Sequence, residues 1–135
     1  MRCVVWIAAL GLCALSCARS SEPAASACRA PYASRPALES RIRRALESDP
    51  EAGPLLARAP ADLALCFAPD GTGVVSGSTL LLNEAQSQAQ LGARVAHLLH
   101  HVAHGQARTS GHAESADEAP AVALEARVRQ RLASR

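Results

Sequence analysis

The sequence predicts a small single domain of the α+β class, with N-terminal helices, a short β-hairpin or meander, a histidine-bearing helix and a C-terminal helix. Apolar residues recur at helical spacing before residue 60 and again after residue 84. Between these two stretches they alternate with smaller residues, as they do in strands. Because the 135 residues include only one Trp, one Tyr and one Phe, the core must consist mainly of Leu, Val, Ile and Ala.

The charge composition argues against a nucleic-acid-binding surface. The formal net charge is +2, and every basic residue is Arg. No basic cluster is interleaved with aromatic residues, so we expect no nucleic-acid partner.

The first residues have the layout of a secretory signal, with a basic Arg2 followed by a mostly apolar run over residues 4–15. This run is shorter than the ~20 residues that a permanent transmembrane helix needs. The sequence Ala-Leu-Ser-Cys at residues 14–17 resembles the lipobox of bacterial lipoproteins. The resemblance implies that residues 1–16 are a signal peptide that is removed and that Cys17 is then acylated. The alternative is an ordinary cleaved signal followed by an incidental cysteine.

The same resemblance implies a location in the cell envelope. Acyl chains on Cys17 would tether the mature protein to a membrane without spanning it. The residue after the cysteine is Ala18 and not Asp. In envelopes with two membranes this resembles the signal for the outer membrane. Residues 17–30 are rich in Ser, Ala and Pro and predict a flexible tether, which leads to a domain over residues 31–135.

Two cysteines, Cys28 and Cys66, remain beyond Cys17 once the signal is removed. An even pair in an exported protein predicts one disulfide, because disulfides persist in oxidising compartments. The alternative is two free buried thiols.

Two helices are predicted before residue 60. Ser34 could cap the first, which has Pro36 in its first turn and ends at Asp49. A short second helix follows through Leu55 and stops near Pro60.

The middle of the chain predicts short strands. Large apolar residues alternate with Ala and Cys over residues 63–67, which predicts a strand. Residues 69–73 have the composition of a turn, and residues 74–75 and 78–82 are predicted as further strands separated by Gly77.

Two more helices follow. One is predicted from about Glu84 to His104, with Gly105 just past its end, and the other from Asp117 to about Ala133. The polar loop between them covers residues 106–116. The apolar side of the last helix is predicted to comprise Val122, Leu124, Val128 and Leu132.

Four of the five histidines lie within residues 94–105. On a helix, His100, His101 and His104 fall within about 60° of His97, opposite an apolar side. Histidines four residues apart can reach one cation from adjacent turns, and neutral imidazole is a good ligand for zinc. The alternative is a solvated polar face that uses His.

Residues 97–105, His-Leu-Leu-His-His-Val-Ala-His-Gly, resemble the active-site helix of the zincin metallopeptidases, whose pattern is His-Glu-x-x-His. The Leu-Leu-Leu-Asn sequence at residues 80–83 and the Ala-rich helix near residue 118 are similar to the surroundings of that helix in small gluzincin domains. The resemblance implies a zinc ion held by His97, His101 and Glu118. The alternative ligands are His100, His104 and Glu125.

The pattern departs from the family at Leu98, which stands where the family has its catalytic glutamate. That glutamate accepts a proton from the metal-bound water, and leucine cannot do so. We therefore predict no catalytic residue and a pseudoenzyme, a membrane-anchored structural or interaction module for an unknown envelope protein or peptide, still able to bind zinc. Two alternatives remain open. One is a zinc metallopeptidase that uses a non-standard base such as Glu114 or Asp117, and the other is a His-based metal or pH sensor.

Overall fold

The computed structural model describes residues 27–105 and 118–135. The predicted signal peptide, Cys17, most of the predicted tether and the loop with Glu114 and Asp117 lie outside the described residues. The α+β class is confirmed by four helices and a three-stranded sheet. The elements are α1 (Pro36–Glu47), α2 (Ala52–Ala57), β1 (Ala64–Ala68), β2 (Val74–Ser76), β3 (Thr79–Asn83), α3 (Gln88–Ala103) and α4 (Glu118–Ala133).

The two predicted N-terminal helices are present. Helix α1 begins at Pro36, which suits the first turn because proline lacks an N–H that would go unbonded there. The residue that precedes it is Arg35, and no side chain caps the helix, so the cap predicted at Ser34 is wrong. Asp49 joins α1 to α2, and its Oδ1 accepts the backbone N–H groups of Glu51 and Ala52, each at 3.0 Å.

Strand β3 is central in the sheet, whose order is β1-β3-β2. The predicted hairpin is formed by β2 and β3, with Gly77 at a positive φ of 62° in the turn. Strand β1 pairs with β3 in parallel, so the three strands do not form the meander that was the other expectation. Four consecutive residues of β1 are buried, and Ala33 bridges its outer edge at Phe67. A strand covered on both faces in this way suits parallel pairing.

Helix α3 begins four residues later than predicted. Residues 83–86 form a turn in which Asn83 Oδ1 accepts the N–H of Ala85 at 2.9 Å, so they are not helical. Ser87 then caps the helix in a capping box with Gln90. Gly105 follows the end of the helix at a φ of 72°, as predicted.

Helix α4 packs along α3. Its apolar side is the predicted one except at one residue. Ala121, Leu124 and Val128 are buried, whereas Val122 is 50% exposed and is not part of that side. The helices approach closely at Gly92, where a Cβ would lie only 2.6 Å from Leu132 Cδ1.

The core is aliphatic, as predicted, and Phe67 is the largest side chain fully buried in it. A disulfide joins Cys28 to Cys66, with Cα atoms 5.4 Å apart, and so ties the segment before α1 to β1. This confirms the predicted pair. Within residues 27–105 and 118–135, no helix is long and apolar enough to cross a membrane.

Candidate metal centre

The four histidines of α3 and its C-cap differ in burial, because α4 covers only part of the side on which they lie. His97 and His101 are 4% and 2% exposed, whereas His100 is half-buried and His104 is exposed. Because α4 packs over the first pair, the alternative of a solvated histidine face is wrong for His97 and His101. Burying two imidazoles together requires polar partners for their ring nitrogens.

His100 and His104 are the alternative ligands on α3, and the His100 ring lies edge-on to His101 of the buried pair, with centroids 6.1 Å apart. The rings of His100 and His104 stack with centroids 4.2 Å apart and planes 28° apart. His104 Nδ1 donates to the backbone carbonyl oxygen of His100 at 2.7 Å. Neither residue belongs to the group of ligand atoms that the fold brings together.

That group consists of His97, His101 and Glu118, the three residues implied by the zincin resemblance. Glu118 is the first residue of α4, and the packing of α4 on α3 brings its carboxylate to the two rings. The Nε2 atoms of the histidines are 3.0 Å apart. One oxygen of Glu118 lies 3.5 Å from Nε2 of His97, and the other lies 3.2 Å from Nε2 of His101.

One ligand atom from each of the three residues lies within 4.8 Å of the others, so the group could hold a common cation. Ligand atoms about 2.0–2.1 Å from a tetrahedral zinc ion lie about 3.3 Å from one another. Two imidazole nitrogens and a carboxylate oxygen are also ligands that zinc prefers. Because the side chain of Glu118 is 46% exposed, the group can be reached from solvent on the carboxylate side.

Glu125, the alternative carboxylate ligand, lies on the other side of the His97 ring. Its Oε2 is 2.9 Å from Nδ1 of His97 and 3.3 Å from an NH1 nitrogen of Arg94. The 2.9 Å separation is within hydrogen-bond range although the alignment is not ideal, and the contact is an ion pair only when His97 is protonated. The contact with His97 lowers the pKa of Glu125 below its usual value; burial opposes this, and the charge of Arg94 adds to it.

A neutral His97 carries its ring proton on either Nδ1 or Nε2. A proton on Nδ1 faces the carboxylate of Glu125, which leaves the lone pair of Nε2 directed towards Glu118 and His101. That lone pair can accept a hydrogen bond from an Nε2–H of His101 at 3.0 Å, or it can bind a cation.

The side chain of Leu98 packs in the core and is not part of the histidine–carboxylate group. It is 2% exposed and belongs to the apolar core. The position at which zincins have their base is therefore occupied by an aliphatic side chain that packs into the interior.

The sequence indicated the three candidate ligands and Glu125 as an alternative ligand, but it indicated neither Arg94 nor the position of Glu125 at Nδ1 of His97. Glu125 follows Glu118 by seven residues, or about two helical turns, so both lie on nearly the same side of α4. Arg94 precedes His97 by three residues on α3, which is also helical spacing. These spacings indicated shared faces, but they could not show which ring nitrogen faces Glu125.

No protein-family model, curated protein or solved structure matches this chain. The zincin resemblance therefore depends on the residues and distances given above.

Proposed function

We propose that the protein is an envelope lipoprotein whose domain binds one divalent metal ion, preferably zinc, between α3 and α4 and does not hydrolyse peptides. The observation that carries this proposal is the convergence of His97, His101 and Glu118, two of them buried, at separations that suit zinc. The ion would link the middle of α3 to the start of α4.

The donor set supports zinc over magnesium or calcium. Magnesium and calcium prefer oxygen ligands, whereas this group offers two imidazole nitrogens and one carboxylate. When bound, zinc could supply Lewis-acid chemistry, but Leu98 cannot accept a proton from water. The missing base supports a structural or interaction role over hydrolysis, and the partner proposed for it is an envelope protein or peptide.

Zinc binding is tested on the full chain, extracted from membranes in mild detergent. We expect elemental analysis to find about one zinc per chain, and a melting temperature that rises with added zinc because the ion binds the folded state preferentially. Replacing His97 and His101 together by Ala should remove both effects. The matched control is His104→Ala, which alters a histidine of the same helix that is outside the group.

Two results would contradict the proposal. A wild-type protein without zinc, and with no zinc-dependent rise in melting temperature near neutral pH, would overturn the proposal of a metal site. Peptide hydrolysis by the unmodified protein that is lost in His97→Ala would instead show an active metallopeptidase.

The anchor is tested separately through Cys17. The lipobox resemblance supports acylation there, and the Cys28–Cys66 disulfide agrees with an exported protein. We expect Cys17→Ala to abolish labelling with a fatty-acid analogue and to move the protein from the membrane fraction to the soluble fraction. Cys13→Ala, a change within the predicted signal, should leave both unchanged. A Cys17→Ala protein that stays on membranes would show that another element anchors it.

A further inference from the structure

We infer that Glu125 is a positioning residue for the metal site. Its carboxylate orients the His97 ring so that the Nε2 lone pair is directed at the ion. The inference rests on the proposed zinc-binding function and deepens it. The carboxylate acts through His97 and is not itself a ligand.

The contacts of His97 carry this inference. The His97 side chain is 6% exposed, and its two nitrogens face opposite carboxylates: Nδ1 faces Glu125 at 2.9 Å, and Nε2 faces Glu118 at 3.5 Å. An imidazole that binds a metal through one nitrogen is oriented by the partner of the other nitrogen, which also raises its basicity. Glu125 is therefore placed to select the tautomer that exposes the Nε2 lone pair.

Arg94 contacts Glu125 in turn. The Arg94 guanidinium lies 3.3 Å from the same Oε2 that contacts His97. Gly73 leaves room for this side chain, because a Cβ there would lie 3.3 Å from the Cδ and Nε atoms of Arg94. The contacts thus run from Arg94 through Glu125 to His97.

The competing explanation is that Glu125 only forms a structural ion pair with Arg94 and does not position His97. The Arg94 and Glu125 side chains are 33% and 20% exposed, and partly exposed ion pairs contribute little to stability. A structural pair would therefore leave the zinc affinity and the His97 tautomer unchanged when Glu125 is replaced. A positioning carboxylate would change both.

The first test measures zinc affinity by competition with a chelator, using the full chain in detergent. We expect Glu125→Leu to weaken zinc binding by roughly 10- to 100-fold, the usual effect of losing such a partner. Glu125→Gln keeps an oxygen that can accept from Nδ1 and should recover part of this loss. The matched control is Glu39→Gln, which removes a carboxylate of similar exposure, 24%, paired with Arg43 at 2.8 Å on α1.

The second test does not need a metal. Nitrogen-15 NMR of metal-free protein, with His97 assigned by comparison with His97→Ala, reports which ring nitrogen carries the proton. We expect the Nδ1–H tautomer in the wild type and in Glu39→Gln, and a shift towards Nε2–H in Glu125→Leu. If Glu125→Leu does not fold, Glu125→Gln provides the same comparison with a smaller shift.

The outcomes separate the inference from the proposed function. If the wild type binds zinc and the Glu125 variants bind it equally well with an unchanged tautomer, the positioning role is wrong and the metal site stands. If the wild type binds no zinc but the tautomer depends on Glu125, the orienting contact is real and the metal proposal is wrong.

Discussion

At the scale of single residues, Leu98 decides between a pseudoenzyme and a peptidase. Its side chain is almost fully buried among the aliphatic residues of the core. The neighbouring His97 and the following His101 face α4 and Glu118 instead. Neighbouring residues on one helix therefore serve core packing and the candidate metal site, and a change at Leu98 acts first on packing.

We predict that Leu98→Glu destabilises the domain and does not produce a peptidase. The substitution removes a core leucine and buries a carboxyl group without a partner, which together should lower the free energy of unfolding by at least about 3 kcal/mol. Urea denaturation measures this loss, and Leu98→Met, which nearly conserves volume, serves as the control. A folded Leu98→Glu protein that hydrolyses peptides in the presence of zinc would show that the site still has room for a base.

The residue scale also shows how far the sequence could predict the site. The spacing of His97 and His101 on a helix, together with the zincin resemblance, indicated two histidines that the fold brings together with Glu118 in a group that could hold a metal ion. Which histidines are buried was not predicted, because it depends on where α4 crosses α3. The role of Glu125 beside Nδ1 depends on the same crossing.

At the scale of elements, α4 is attached to the rest of the fold at both ends. Glu118 lies at its first turn beside the histidines, and Arg131 lies in its last turn. Arg131 contacts Asp49 through two short hydrogen bonds of 2.7 and 2.9 Å and Glu51 at 2.8 Å, so it ties α4 to the junction between α1 and α2. The sequence predicted that α1 ends at Asp49, but not that its partner lies 82 residues away.

We predict a pH-dependent contribution of Asp49 to stability. Burial alone would raise the pKa of Asp49, but hydrogen bonds from Arg131 and from the backbone N–H groups of Ala52 and Glu51 outweigh it and lower the pKa from 3.8 to about 2. The depressed pKa makes the stabilisation complete above pH 3.8 and removes it as the pH falls through about 2. The difference corresponds to about 2 kcal/mol.

The test compares Asp49→Asn with the wild type in urea denaturation at several pH values. Near neutral pH the variant should be less stable by about 2 kcal/mol, and the difference should shrink towards about pH 2 because the wild-type carboxylate is then protonated. Asp70→Asn changes an exposed aspartate and is the control. A gap between wild type and Asp49→Asn that is the same at neutral and acid pH would contradict the assignment.

At the scale of the whole molecule, the parallel pairing of β1 with β3 is the feature that local patterns could not predict. Alternation and turn residues located the strands, and Gly77 located the hairpin. The position of β1 depends on long-range cover, from Ala33 on its outer edge and from the disulfide at Cys66. The disulfide was predictable from composition, because the two cysteines that remain beyond Cys17 after removal of the predicted signal admit one intrachain bond.

The Cys28–Cys66 disulfide should stabilise the entire domain. It joins residues 38 apart, and in the chain-entropy model a loop of this length contributes about 4 kcal/mol by restricting the unfolded chain. Domains of this size are commonly stable by only about 5–15 kcal/mol, so the bond should contribute a large share here. We expect replacement of both Cys28 and Cys66 by Ala to lower the urea midpoint strongly, and reductant to lower the wild-type midpoint to a similar value. Reductant should leave the double variant unchanged. Two reactive thiols per chain in unreduced, unfolded protein from the envelope would show that the bond does not form there.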